Sequence, residues 1–218
     1  MMSDPVLKIE GLYHAYKSHE ILKNISLDLR AGQRTAVLGE SGSGKSTLLR
    51  CIAGFETIKR GRISLNGQIV SDNVMTAPTE DRNLGMVLQE RALFPHLTVK
   101  KNIMFGIDKL PNKKNILADL ASLFKITTIL DKFPGEISGG EQQRVAFARS
   151  LAPEPGLLML DEPFSALNQE LKEELYAELI RIFDERNVAV LLVTHDVAEA
   201  TKLTFSQAKL DCGVLTNN

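Results

Sequence analysis

Gly39-Glu40-Ser41-Gly42-Ser43-Gly44-Lys45-Ser46 decides how the rest of this chain is read. The stretch fits the phosphate-cradling P-loop pattern G-x-x-x-x-G-K-[ST]. It follows an apolar run, Thr35-Ala36-Val37-Leu38, that predicts a strand, and leads into Thr47-Leu48-Leu49-Arg50-Cys51-Ile52-Ala53, which predicts a helix. Glycines let the backbone curl until successive N–H groups face phosphate oxygens, and the positive end of the helix dipole adds to the attraction. Lys45 is expected to reach the β- and γ-phosphates and the Ser46 hydroxyl to ligate Mg²⁺. Gly39, Glu40, Ser41, Gly42, Ser43, Gly44 and Thr47 complete the expected cradle. The sequence thus predicts binding of a nucleoside triphosphate.

Working outward, Val6–Leu12 and Ile25–Leu29 read as strands of an N-terminal antiparallel β region. Arg62–Leu65, Asn66-Gly67 and Gln68–Val70 read as a hairpin. Leu84–Leu88, Leu157–Leu160 and Val188–Val193 are short apolar runs of the kind found in buried parallel strands. Between Gln89 and Gly156 the periodicity becomes helical, over Val99–Phe105, Asn112–Phe124 and Glu141–Ala152, with Pro95, Pro111, Pro134 and the Pro153/Pro155 pair as breaks. The expected fold class is α/β: a P-loop NTPase core from residues 1–88 and 157–218, with a helical subdomain inserted at 89–156. The helix expected at Gln169–Arg186 mixes Glu and Lys on its exposed face, which reads as solvation.

The bulk numbers exclude several classes. A chain of 218 residues can bury one good core, here read as the single domain 1–218. A net charge of −1 gives no general attraction to nucleic acid or to an anionic membrane surface, so no nucleic-acid partner is expected. No apolar run is long enough to cross a bilayer, so a membrane would have to be supplied by a partner. Met1-Met2-Ser3-Asp4-Pro5 lacks the basic run of a secretion leader, and the two cysteines, Cys51 and Cys212, lack metal-ligand spacing. Both are expected to be reduced.

Leu157-Leu158-Met159-Leu160-Asp161-Glu162-Pro163 is an apolar strand ending in two acids. A buried strand delivers such carboxylates to the sheet edge where ligands bind in open α/β folds. Asp161 is placed to hold the Mg²⁺ shell and Glu162 to orient or deprotonate an attacking water. Further on, Ile137-Ser138-Gly139-Gly140-Glu141-Gln142-Gln143-Arg144 puts a serine and two glycines ahead of a helix, a second loop able to grip phosphate through N–H groups and dipole.

This last stretch resembles the LSGGQ signature of the ATP-binding cassette (ABC) ATPases, and the resemblance extends over nearly the whole chain. It implies a RecA-like core, ATP with Mg²⁺, and ATP hydrolysis. It also implies a head-to-tail homodimer in which the P-loop of one copy faces Ser138, Gly139 and Gly140 of the other. Gln89 is similar to the Q-loop glutamine that touches Mg²⁺ and links to the helical block. His195 resembles the switch histidine at the γ-phosphate, and Tyr16 the adenine-stacking aromatic. Ser165-Ala166-Leu167-Asn168 falls at the D-loop.

The stretch from Met86 to Val99, followed by Asn102-Ile103, is similar to the bacterial importers of sugars, polyamines, sulfate, thiamine and ferric iron. There it implies a groove at Ala92–Val99 for a coupling helix of an integral membrane permease, with a solute-binding protein as indirect partner. The alternative, that Leu93 and Phe94 fill the core of the helical block, ranks below docking because the segment carries a proline and lies between elements. The implied location is the cytoplasmic face of the plasma membrane, as a peripheral subunit. Exporter or lipoprotein-release service, and a non-transport cassette, are the alternative readings.

Three departures from the family pattern stand out. Asn168 replaces the usual D-loop aspartate, from which weaker coupling of the nucleotide sites is expected. Glu141 replaces the last glutamine of the signature, with little effect expected. Leu203-Thr204-Phe205-Ser206-Gln207 differs from the usual strand entry, and the C-terminal regulatory domain of many importer ATPases is not expected in a chain of this length.

Overall fold

A computed structural model describes residues 4–217. Two sheets and six helices carry the fold among them. The N-terminal sheet is antiparallel: β1 (Leu7–Tyr16), β2 (His19–Leu29), β4 (Arg60–Leu65) and β5 (Gln68–Ser71) lie in the order β2-β1-β4-β5. The turn between β4 and β5 is Asn66-Gly67, both at positive φ (49° and 77°), which this two-residue hairpin geometry demands. The expected strands Val6–Leu12 and Ile25–Leu29 are therefore each the inner half of a longer one. Register shifts at Ile9/Leu12, Leu12/His14 and His14/Ala15 interrupt the alternation that would have revealed the outer halves.

The second sheet has six strands in the order β10-β9-β3-β8-β7-β6. They are β3 (Arg34–Leu38), β6 (Leu84–Val87), β7 (Leu157–Asp161), β8 (Ala189–Thr194), β9 (Ser206–Asp211) and β10 (Val214–Asn217). All neighbours are parallel except β9 and β10, which pair antiparallel. Strand β6 ends at Val87, one residue before the expected Leu88. The departure noted at 203–207 does not break the sheet, because β9 still pairs with β3 from Thr35 to Leu38. Its fringe of Ser206, Lys209 and Asp211 hid the strand, leaving only Ala208 and Leu210 buried.

The central strands are apolar on both faces because each face has its own cover. On one side Leu158 and Leu160 of β7 and Val190 and Leu192 of β8 join the core under the helices. On the other, Leu157, Met159, Leu191 and Val193 join the core shared with the antiparallel sheet and helix α1 (Lys45–Ala53). Helices α2 (Val99–Met104), α3 (Lys113–Leu123) and α4 (Gly139–Leu151) fill the stretch between β6 and β7, followed by α5 (Gln169–Arg186) and α6 (Val197–Leu203). Phe124, Phe147, Phe164 and Tyr176 form a run of ring contacts beneath them. Arg82 is fully buried and donates to the carbonyls of Cys51, Ile52, Val70 and Ala77 and to Ser71 Oγ, tying the end of α1 to the antiparallel sheet. Cationic donors favour the negative end of a helix dipole.

Candidate functional site

Strands β3 and β7 flank β8 and end at the same carboxyl edge of the central sheet. The loop after β3 feeds α1 through Gly44 at φ 106°, a conformation that costs an L-residue with Cβ dearly. A Cβ there would also come within 3.1 Å of Leu22 Cδ2. At Gly39 a Cβ would meet the Leu210 carbonyl at 2.5 Å and Ser43 Oγ at 2.6 Å, so close approach rather than dihedral angle requires that glycine. No side chain caps α1 and its first turn holds no acid, so its N–H groups remain open. Ser43 Oγ is buried and without a partner.

Lys45 is buried, and its Nζ donates to the carbonyls of Gly39 and Glu40, each at 2.8 Å. Glu162 Oε1 lies 3.8 Å from the same ammonium. Ser46 Oγ donates to Asp161 Oδ1 at 3.1 Å. Burial pushes the Asp161 carboxyl above the usual aspartate range, the neighbouring Glu162 charge adds to the rise, and the Ser46 hydroxyl opposes it. Glu162 follows at φ 43°, with its N–H donating to the Val193 carbonyl at 3.0 Å. Such non-glycine left-handed residues cost on the order of 1–3 kcal/mol and cluster at functional sites. Glu162 Oε2 stands 3.2 Å from His195 Nδ1.

These groups face a cleft of about 670 Å³ whose walls include Glu40, Ser41, Gly42, Gly44, Lys45, Ser46, Thr47, Gln89, Glu162 and His195. The residues present fit a nucleoside triphosphate with its cation. Gly39 leaves no room for a Cβ, Gly42 and Gly44 hold the loop at positive φ, the helix end is open, and Ser46 and Asp161 offer the hard oxygen donors that Mg²⁺ takes. Ile21 of β2 supplies an apolar wall that the sequence reading missed. Tyr16 lies outside the lining, at the tip of the β1–β2 hairpin, 44% exposed, with its hydroxyl donating to Glu56 Oε1 at 2.9 Å. Arg50 grips the same Glu56 oxygen from α1, so the ring is tethered to the phosphate-end helix.

Ser138, Gly139 and Gly140 do not line this cleft. Ser138 caps α4: its Oγ accepts from Glu141 N at 3.3 Å, and Glu141 Oε2 accepts from Ser138 N at 2.7 Å, a reciprocal capping box. The Arg91 guanidinium lies against Gly139 and donates to Gln142 Oε1 and Gln143 Oε1. Arg91 and Ala92 are both at positive φ (59° and 47°), held there by Arg149, which donates to both their carbonyls. Asn102, buried in α2, accepts from Phe94 N and donates to the carbonyls of Phe94, Leu97 and Thr98, fixing the shape of that segment. Leu93 packs on the helical core. Phe94 stays half-buried, its ring 4.6 Å from that of the 61% exposed Phe105, beside a groove of about 730 Å³ lined by His96–Thr98, Lys101, Met104 and Phe105. Of the two residues left open earlier, Leu93 packs partly buried against the helical core, and Phe94 pairs with the exposed ring of Phe105.

The parallel core, the open α1 end and the paired acids define a P-loop NTPase. The chain belongs to the ABC transporter family, whose match runs over residues 22–165. It is 46% identical over 196 residues to the Fe(3+) ions import ATP-binding protein FbpC of Pseudomonas fluorescens, covering 89% of this chain and 55% of that protein. It is 43% identical over 201 residues to the sulfate/thiosulfate import ATP-binding protein CysA of Thermosynechococcus vestitus, covering 90% and 59%. The chain thus spans somewhat over half the length of the curated relatives it matches. Among solved structures it resembles cbiO1 of Clostridium perfringens, part of the cbiONQ transporter complex (TM-score 0.87, 27% identity, 99% of this chain and 89% of that one). It also resembles the dimeric post-hydrolysis state of the cassette MJ0796 bound to ADP and Pi (TM-score 0.84, 26% identity, 97% and 98%).

Proposed function

We propose that this chain is the ATP-hydrolysing, energy-coupling subunit of an importer, working as a head-to-tail dimer beneath a membrane permease. The observation that carries the reading is the clustering of Lys45, Ser46, Asp161, Glu162 and His195 on one cleft, with the second phosphate-gripping loop turned elsewhere. A loop at Ser138–Gly140 that does not reach its own cleft is suited to completing that of a second copy. Relatives named as iron and sulfate import ATP-binding proteins, and a structural neighbour solved as a dimer with ADP and Pi, support the same view.

Lys45 exchanges the Gly39 and Glu40 carbonyls and the Glu162 carboxylate for the β- and γ-phosphates. Ser46 and Asp161 would hold Mg²⁺, with Gln89 on the same cleft wall as a further ligand, and the ion would supply positive charge to offset that of the phosphates. Glu162 orients the attacking water and takes its proton as the water oxygen bonds to the γ-phosphorus and the bond to the β-phosphate oxygen breaks. His195, beside Glu162, holds the γ-phosphate. Tyr16 stacks on the adenine. Residues 89–156 then move as a unit, with the Arg91 bridge linking Gln89 to the signature helix.

The permease docks at Ala92–Val99 and Phe105, where exposed aromatic surface borders the groove. No described helix is long and apolar enough to cross a membrane, which fits a peripheral subunit at the cytoplasmic face. The solute is a small nutrient such as a metal ion, oxyanion or vitamin, delivered by a solute-binding protein. The test is ATPase activity of wild type and Glu162→Gln, with Mg·ATP-dependent dimerisation measured by light scattering. An inactive variant that dimerises only with ATP is expected; one that stays monomeric in saturating Mg·ATP overturns the sandwich.

A further inference from the structure

Glu199 is an acid in the first turn of α6, only 3% exposed, with no part in the chemistry described so far. Its Oε1 accepts from Lys172 Nζ at 2.8 Å and its Oε2 from Thr194 Oγ1 at 2.8 Å. Thr194 Oγ1 in turn accepts from the backbone N–H of Asp196 at 3.0 Å. One carboxylate therefore pins the chain on both sides of His195. His195 itself is exposed and touches Glu162 Oε2 through Nδ1, so its own contacts define its position poorly. A cavity of about 120 Å³ is lined by Glu162, Ser165, Lys172, Glu199 and the 194–196 turn, so the ion pair and the Glu162 carboxylate border the same small space.

Lys172 belongs to the first turns of α5, next to Leu171, and Leu171 packs against Gly140, where a Cβ would lie 3.4 Å from its Cδ1. The start of α5 thus touches the signature loop on one side and, through Lys172 and Glu199, the His195 turn on the other. Buried ion pairs add little net stability, because desolvation offsets attraction, and their best-attested role is fixing one arrangement of elements. Charge-assisted bonds to a carboxylate are also shorter and more directional than neutral ones.

We propose that Lys172 and Glu199 are positioning residues that hold His195 against Glu162 and tie that register to the signature loop. The inference rests on the ATPase reading for its kinetic consequence but not for its geometry. Lys172→Met and Glu199→Gln are compared with wild type at a temperature well below melting. A misplacement of catalytic groups by a fraction of an ångström lowers kcat about tenfold, with KM for ATP within about twofold, and the double variant falls little further than either single one. Lys172→Arg restores most of kcat. Independently of turnover, the His195 imidazole resonances, assigned by their loss in His195→Ala, shift in both variants. Should Glu199→Gln fail to fold, Lys172→Met carries the test alone, because its side chain is less deeply buried. Wild-type kcat together with unmoved His195 resonances in folded Lys172→Met overturns the proposal. An inactive wild type with shifted resonances in the variant would instead sink the ATPase reading and leave the pair standing.

Discussion

Two helix ends in this chain are built from serine and glycine, and they are finished in opposite ways. The end of α1 has glycine at its cap, no side-chain cap and no acid in the first turn. The end of α4 has Ser138 as cap, a reciprocal bond from Glu141, and that acid lying within the first turn. Both point a positive dipole end outward. One is left open with a lysine folded over it, while the other occupies the N–H groups of Ser138 and Glu141 and brings a negative charge. An anion can bind α1 without first displacing anything but Lys45's internal contacts. At α4 it must meet or move Glu141. The comparison suggests that the first site captures nucleotide in the single chain and that the second engages only when a partner delivers an already bound one.

The strongest way to break the comparison is to remove the lysine. Lys45→Ala should lower ATPase activity by about two orders of magnitude or more, the scale expected when a preorganised charge contact to a phosphoryl group is lost. Nucleotide affinity, read by fluorescence of a labelled ATP analogue, should fall with it. A variant that binds ATP as wild type does would mean that the open helix end alone suffices.

Asp161→Asn sharpens the electrostatic side of the same end. Burial has raised this carboxyl, so folding of the nucleotide-free chain penalises its charged form relative to its neutral one. Protonation therefore stabilises the free protein, and stability contributed this way grows as pH falls through the raised value and is absent well above it. At neutral pH the asparagine variant should melt higher than wild type without nucleotide, with the gap narrowing as the solution is acidified. Mg²⁺-dependent hydrolysis should drop by about a hundredfold. A melting temperature that falls in the variant at every pH would contradict the burial argument.

The phosphate end could be read from sequence because its chemistry is local: eight consecutive residues carry the glycines, the lysine and the hydroxyl. The central strands were legible because burial on both faces makes them uniformly apolar. What stayed hidden depends on distant partners. Ile21 faces the cleft only because a bulged β2 runs past Gly44. Arg82 and Asn102 look like surface residues in the text and are buried by carbonyls supplied from elsewhere. Glu199 gives no local sign, since an acid near a helix start is the ordinary expectation. Tyr16 shows the converse, a residue picked by spacing whose ring the fold leaves outside the cleft lining, tethered through Glu56.

The smallest expected effect lies at the closed end. Glutamine has the shape of glutamate, so Glu141→Gln keeps the side chain able to reach Ser138 N while removing only the charge. Two changes of opposite sense should follow. The charge–dipole attraction, typically about 0.3–1 kcal/mol at an exposed site, is lost, and the melting temperature should fall by a few degrees at most. Bonds from the Ser138 hydroxyl and N–H hold the Glu141 carboxyl below the usual glutamate range. Its stabilising contribution is therefore complete above the unfolded-state value and lost as pH drops through the lowered one, and the difference between variant and wild type should vanish there. Association should move the other way. With no negative charge at α4, a partner's γ-phosphate meets less repulsion, and Mg·ATP-dependent dimerisation of Glu141→Gln in the Glu162→Gln background should tighten several-fold at low salt. That gain should shrink at high salt, where exposed charges are screened within about 3 Å at 1 M. Equal dimerisation of the two proteins across the salt series would mean that Glu141 swings clear when the second copy docks, and that the closed end opens at no electrostatic cost.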